Sequence, residues 1–178
     1  MPPLTLEPAT VPPPIAWGAR MPPRVQPPVV EYSLTFCCPP HHVLRAEQDG
    51  AITVEVDGPL PPWLPTVLQR LAVLLRLPEG WNSYRARRVS PKAVAAVLRA
   101  LPRIAGPTAP APAVVPLADG GVQVEWHQGG IDLELAFAAD GRISLSYVDS
   151  HTGVEWDEDH LTDLAPVREA LAALTARG

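Results

Sequence analysis

Apolar and polar residues alternate most regularly in VVPLADGGVQVEWHQGGIDLELAFAADGRISLSYVD, the stretch that begins at Val114. Val122, Val124 and Trp126 fall on one side of an extended chain, and Gln123, Glu125 and His127 on the other. Ile131, Leu133, Leu135 and Phe137 continue the apolar set, followed by Ile143, Leu145 and Tyr147. Asp119-Gly120-Gly121, Gly129-Gly130 and Asp140-Gly141 separate the runs and supply the residues that tolerate positive φ in tight hairpins. The pattern predicts an antiparallel meander of three to five strands with one greasy and one polar face. Earlier in the chain, Val29 to Phe36 and Ala51 to Val56 read as two further strands.

The period changes to that of a helix between Pro61 and Leu77, where Leu64, Val67, Leu68, Leu71, Leu74 and Leu75 share a face. Pro65 is tolerated in the first turn, and Pro78 closes the element. Ser90-Pro91 opens a second helix, with serine as N-cap and proline at the first helical position; Val94, Val97, Leu98 and Leu101 form its core-facing stripe. Helical spacing returns through Leu161, Leu164, Val167, Leu171 and Leu174, with Pro166 placing the helix start near itself. Two or three helices against an antiparallel meander make an α+β fold.

Proline modifies this picture at the N-terminus. Of 24 prolines, 12 lie within the first 40 of the 178 residues. Residues 1–28 therefore read as a Pro-rich extended arm, with Ile15 and Trp17 as its anchors, ahead of a single α+β domain over 29–178. The start has neither a basic n-region nor a continuous apolar stretch, so no secretory signal is expected. Arg70 and Arg76 interrupt the most apolar window, and no membrane association is expected. Cys37 and Cys38 are adjacent, which argues against a disulfide framework and for a cytoplasmic location.

The net charge of −5 is unevenly distributed. Arg85, Arg87, Arg88, Lys92, Arg99 and Arg103 face a single acid, Glu79, between residues 78 and 103, whereas twelve acidic residues follow from Asp119 onward. Such blocks attract each other within a fold or engage partners of opposite charge.

The stretch LPEGWNSYRARRVSP, residues 77 to 91, joins the two first helices. Together with the hairpin sequence VVPLADGGVQVEWHQGG, it resembles a group of small uncharacterised bacterial proteins. In that group the joint reads Gly-Trp-Asp/Asn-Ser/Gly-Tyr-Gly-Ala and the hairpin Pro-Asp-Gly-Gly-Val-Gln-Leu-Glu-Trp. The resemblance spans about residues 64 to 147 and implies no activity. Arg85 stands where the group has glycine, so a positive φ there would place strain on this chain. The character of the resembling proteins suggests a partner encoded nearby, as in a toxin–antitoxin or phage-defence pair.

Five places carry candidate chemistry. Trp81, Asn82, Tyr84 and Arg85, with Trp17, are the candidate partner-binding residues; the alternative reading of the joint packs both of its aromatics between the helices. Cys37, Cys38, His41 and His42 are of zinc-binding type, but neighbours on an extended chain point apart, so Cys38, His41 and His42 remain weak metal candidates and no cofactor is expected. The acidic run Glu155-Trp156-Asp157-Glu158-Asp159 lacks the spacing of a calcium loop and reads as a solvated loop, with Asp159 or Thr162 helping to start the last helix. On the polar sheet face, the Gln128-Gly129-Gly130 turn can bring His127 near Asp132, with Glu125 and Glu134 beside them; Ser144 and Ser146 are the hydroxyls expected there. Arg85, Arg87, Arg88 and Lys92, with Arg99, form the nucleic-acid candidate.

No phosphate-binding glycine loop, nucleophile elbow or His-Glu zinc motif occurs in the chain. The reading that results is a non-catalytic protein–protein interaction module, an accessory or regulatory subunit of a bacterial complex. The alternative is a nucleic-acid-binding regulatory module using residues 85–99.

Overall fold

Alternation produces strands here because each apolar residue of the meander meets a second layer, while its polar neighbours point away from it. In a computed structural model of the chain, residues 60–178 are described throughout, together with the backbone of three strands nearer the N-terminus. Those strands are β1 (Val30–Leu34), β2 (His42–Ala46) and β3 (Ile52–Val56), paired antiparallel in the order β1-β2-β3. They form a sheet of their own and do not extend the meander. The Pro-rich arm, Trp17, Cys37, Cys38 and His41 lie outside the described residues, as does the side chain of His42.

Helix α1 (Leu64–Leu74) starts with proline in its first turn and buries Leu64, Val67, Leu71 and Leu74. Trp63, immediately before it, is 1% exposed, and its indole N–H donates to the Gly106 carbonyl at 3.0 Å. Helix α2 (Pro91–Ile104) begins as its sequence requires: the Ser90 hydroxyl accepts a hydrogen bond from the Lys92 amide at 3.2 Å. Ala93 through Leu98 are buried without interruption, so α2 is enclosed on more than one side and is not a surface helix with a single apolar stripe.

The meander has five strands: β4 (Ala113–Pro116), β5 (Val122–Gln128), β6 (Ile131–Phe137), β7 (Ile143–Asp149) and β8 (Val154–Glu158), in sequence order across the sheet and antiparallel throughout. Helix α3 (Ala165–Arg177) follows, and α2 and α3 pack against one another and against the central strands. Val122, Val124, Trp126, Ile131, Leu133, Leu135, Phe137, Leu145 and Tyr147 are buried beneath them, as the alternation predicts. The fold is α+β.

Two expectations change. The acidic run at 155–158 is not a loop but the edge strand β8, because Tyr147 pairs with Trp156 across the ladder and their rings approach to 5.7 Å. Trp156 packs its ring on Tyr147 in a strand whose other residues, Val154, Glu155, Asp157 and Glu158, are exposed. The start of α3 is marked by Asp163, whose carboxylate accepts the Ala165 amide at 2.9 Å, and not by Asp159 or Thr162. No helix among the described residues is long and apolar enough to cross a membrane.

Candidate functional site

The joint between α1 and α2 is built around the side chain of Asn82. Its Oδ1 accepts the amides of Tyr84 at 2.8 Å and Ala86 at 3.1 Å, which folds the chain back on itself. The Gly80 amide donates to the Ala86 carbonyl at 2.7 Å, and the Trp81 indole to the Arg87 carbonyl at 3.2 Å. A Glu79 carboxylate oxygen accepts the Arg88 amide at 3.1 Å. Ala86 and Val89 are buried and pin the end of the loop. Beyond it, the Arg87 amide donates to Ala118 and the Ser90 amide to Gly120, which binds this segment along the turn between β4 and β5.

Within this framework Ser83 and Arg85 have φ of +64° and +70°, the only non-glycine residues among those described to do so. Each costs about 1–2 kcal/mol relative to ordinary backbone. Tyr84, between them, is 86% exposed, and Arg85 is exposed beside it. Tyr84 therefore does not pack between the helices, whereas Trp81 is half-buried and serves as a hydrogen-bond donor to the loop. The structure thus brings Trp81, Asn82, Tyr84 and Arg85 together in one ordered loop: Trp81 and Asn82 hold it, and Tyr84 and Arg85 project from it.

The residues of the basic segment differ in their surroundings. Arg85, Arg87 and Arg88 are exposed and make no ion pair among the described residues. Lys92 is engaged, with its ammonium donating to the Asp140 carbonyl at the β6–β7 turn. Arg99 is half-buried on α2.

The second concentration of chemistry is the sheet face opposite the helices. Strand register sets Glu125 directly across from Glu134, then Ser146 and Asp157, and in the adjacent row His127 across from Asp132, then Val148 and Glu155. The sequence expectation for His127 holds: its Nδ1 lies 2.8 Å from Asp132 Oδ1. On the other edge of the ring, Nε2 is 3.7 Å from Glu125 Oε2 and 3.9 Å from Glu134 Oε1. The hydrogen bond to Asp132, with the nearby negative charge of Glu125, raises the imidazole pKa above its ordinary 6.5. Gln123 was not anticipated as part of this group. Its amide N–H groups donate to Glu125 and Glu134, at 2.9 Å each, and tie the two carboxylates together. The alternation rule placed Gln123 on this face, but only the register shows that it reaches both acids.

Ser144 and Ser146 line an open groove on the same face with Gln123, Glu134, Ala136, Asp157 and Asp159. Among the described residues neither serine hydroxyl hydrogen-bonds His127, whose ring contacts are Asp132, Glu125 and Glu134. His151 stands near Asp149, and His160 lines a neighbouring depression with Arg142, Ser144 and Asp159.

No protein-family model, curated protein or solved structure matches the chain.

Proposed function

We propose that the chain is a non-catalytic interaction module, an accessory or regulatory subunit that binds another protein through the loop spanning residues 79–88. The observation that carries this reading is the conformation of that loop. Two non-glycine residues are held at positive φ on either side of a tyrosine that is 86% exposed. Backbone strain of this kind persists only where surrounding bonds over-determine it, and it concentrates where side chains are aimed at a ligand or partner. Tyrosine and arginine are also the side chains most enriched at interface hot spots, and a rigid loop loses little conformational freedom on binding.

The test compares the tagged chain with its Tyr84→Ala variant in nuclease-treated lysate of the native host. One protein recovered stoichiometrically by the parent chain, and reduced at least tenfold with Tyr84→Ala at unchanged Tm, is the expected result; a hot-spot residue is worth about 2 kcal/mol or more. Equal recovery by both chains would remove the loop from the interface.

A second reading follows from Arg85, Arg87 and Arg88, which are exposed and make no ion pair among the described residues: a regulatory module that binds nucleic-acid phosphates. Lys92 is exposed but donates to the Asp140 carbonyl, and Arg99 is half-buried on α2. Recovery that disappears with nuclease, and binding that weakens steeply with salt, would favour it over the first.

A further inference from the structure

The polar sheet face carries an arrangement that a solvated surface does not need. Glu125 and Glu134 are direct cross-strand neighbours, and like charges so placed repel. Asp132 adds a third carboxylate one row away, and among the described residues no arginine or lysine pairs with any of the three. Among the described residues, the His127 imidazole and the neutral Gln123 amide are the groups that meet these carboxylates. Their donor atoms nevertheless converge: one ligand atom each from Glu125, His127 and Glu134 lie within 4.8 Å of one another.

We propose that this face binds one divalent transition-metal ion of the zinc class through His127 Nε2 and one carboxylate oxygen each from Glu125 and Glu134. The inference is independent of the loop reading and concerns a different surface. Three features fit the ion to the site. First, the donor set mixes imidazole nitrogen with carboxylate oxygen, which suits zinc-class ions better than calcium or magnesium. Second, a tetrahedral ion with bonds of about 2.0–2.2 Å needs ligand atoms roughly 3.3 Å apart. The present separations from Nε2, 3.7 and 3.9 Å, close to that by small side-chain movements.

Third, the supporting groups already point the right way. Asp132 accepts from Nδ1–H, which leaves the Nε2 lone pair of the neutral ring facing the carboxylates. A carboxylate behind a metal-binding histidine in this way fixes the ring and strengthens its donor nitrogen. Gln123 donates to Glu134 Oε2 and leaves Oε1 toward the imidazole; it also donates to Glu125 Oε2, the oxygen nearest Nε2, which has a second lone pair for an ion. Three protein ligands on an exposed face leave the fourth position open to water or to a group from a partner.

The experiment is calorimetric titration of the chelator-stripped full chain with ZnCl2, repeated with Co2+ followed by its visible absorption. One equivalent bound, with a rise in Tm on zinc addition, is expected. His127→Ala and Glu134→Gln should abolish binding, and Asp132→Asn, which removes only a positioning residue, should weaken it by about tenfold or more. All three positions face solvent, and thermal unfolding without metal verifies that each variant folds. Absence of saturable binding by the parent chain overturns the proposal. So does binding that survives His127→Ala and Glu134→Gln but is lost in Cys38→Ser, which would move the ion to the cysteine–histidine segment.

Discussion

Arg85 is the residue whose chemistry and conformation disagree most. Its φ of +70° lies where glycine is at ease and a side chain is not. Glycine would adopt this φ without the steric cost that the Arg85 Cβ brings. Arg85→Gly is therefore expected to stabilise the chain by about 1 kcal/mol, a Tm increase of roughly 2–4 °C for a chain of this size. Thermal unfolding monitored by circular dichroism checks it. The same substitution removes one of the two side chains proposed to meet a partner, so a gain in stability with a loss of binding would separate the two roles of this position. Asn82 is the opposite case: its short polar side chain serves two backbone amides, and its identity is explained by the loop alone.

At the scale of elements, the controlling contact is the seam between the helix–helix joint and the β4–β5 turn. Arg87 and Ser90 donate to carbonyls of that turn, and Gly120 is the residue that allows the approach. A Cβ at Gly120 would stand 2.6 Å from the Arg88 carbonyl oxygen, on backbone with φ of +89°. Gly120→Ala is expected to cost at least about 2 kcal/mol, from strain and close contact together. Gly106→Ala is the control, since a Cβ there meets nothing within 4 Å and φ is not positive. Chemical denaturation of the two variants should show a large loss for the first and none for the second. Much at this scale was legible in the chain. Ser90-Pro91 announced a helix start, and the meander's alternation placed His127 opposite Asp132. The edge strand β8 was not legible, because only Trp156 among its residues packs inward and charge dominates the rest.

At the scale of the whole molecule, an ion pair ties the end of α3 to the end of β7. Arg177, the last residue of α3, donates through both terminal nitrogens to Asp149, the last residue of β7, at 2.8 Å each. Asp149 is 2% exposed, and its Oδ1 also accepts the His151 amide. The Arg177 hydrogen bonds hold the Asp149 carboxyl well below the usual carboxylate range. Because the folded-state pKa is depressed, this stabilisation is complete above the unfolded value of about 3.8 and is lost as pH falls through the folded value. Arg177→Gln is thus expected to lower Tm at neutral pH, with the gap to the parent chain shrinking below about pH 4 as Asp149 takes up a proton. A Tm series from pH 7 downward tests it; a constant gap would mean that Arg177 acts by packing alone.

Local physics is sufficient for part of this protein. The period of apolar residues, the Gly-containing turns and the serine–proline helix start depend on neighbours a few positions away, so the α+β class and the two-faced sheet follow from the chain. The joint could be delimited in the same way, but its strain could not, since the φ of Ser83 and Arg85 is imposed by Asn82 and by the distant turn at residues 117–121. The convergence of Gln123, Glu125, His127, Asp132 and Glu134 needed the exact strand register, and one residue of slip would have sent these side chains to the opposite face. The Asp149–Arg177 latch spans 28 positions and two kinds of element, with no local signal in either residue. Which polar groups meet was decided by the packing of α2 and α3 on the sheet, because burial selects the face and register before any side-chain contact can form.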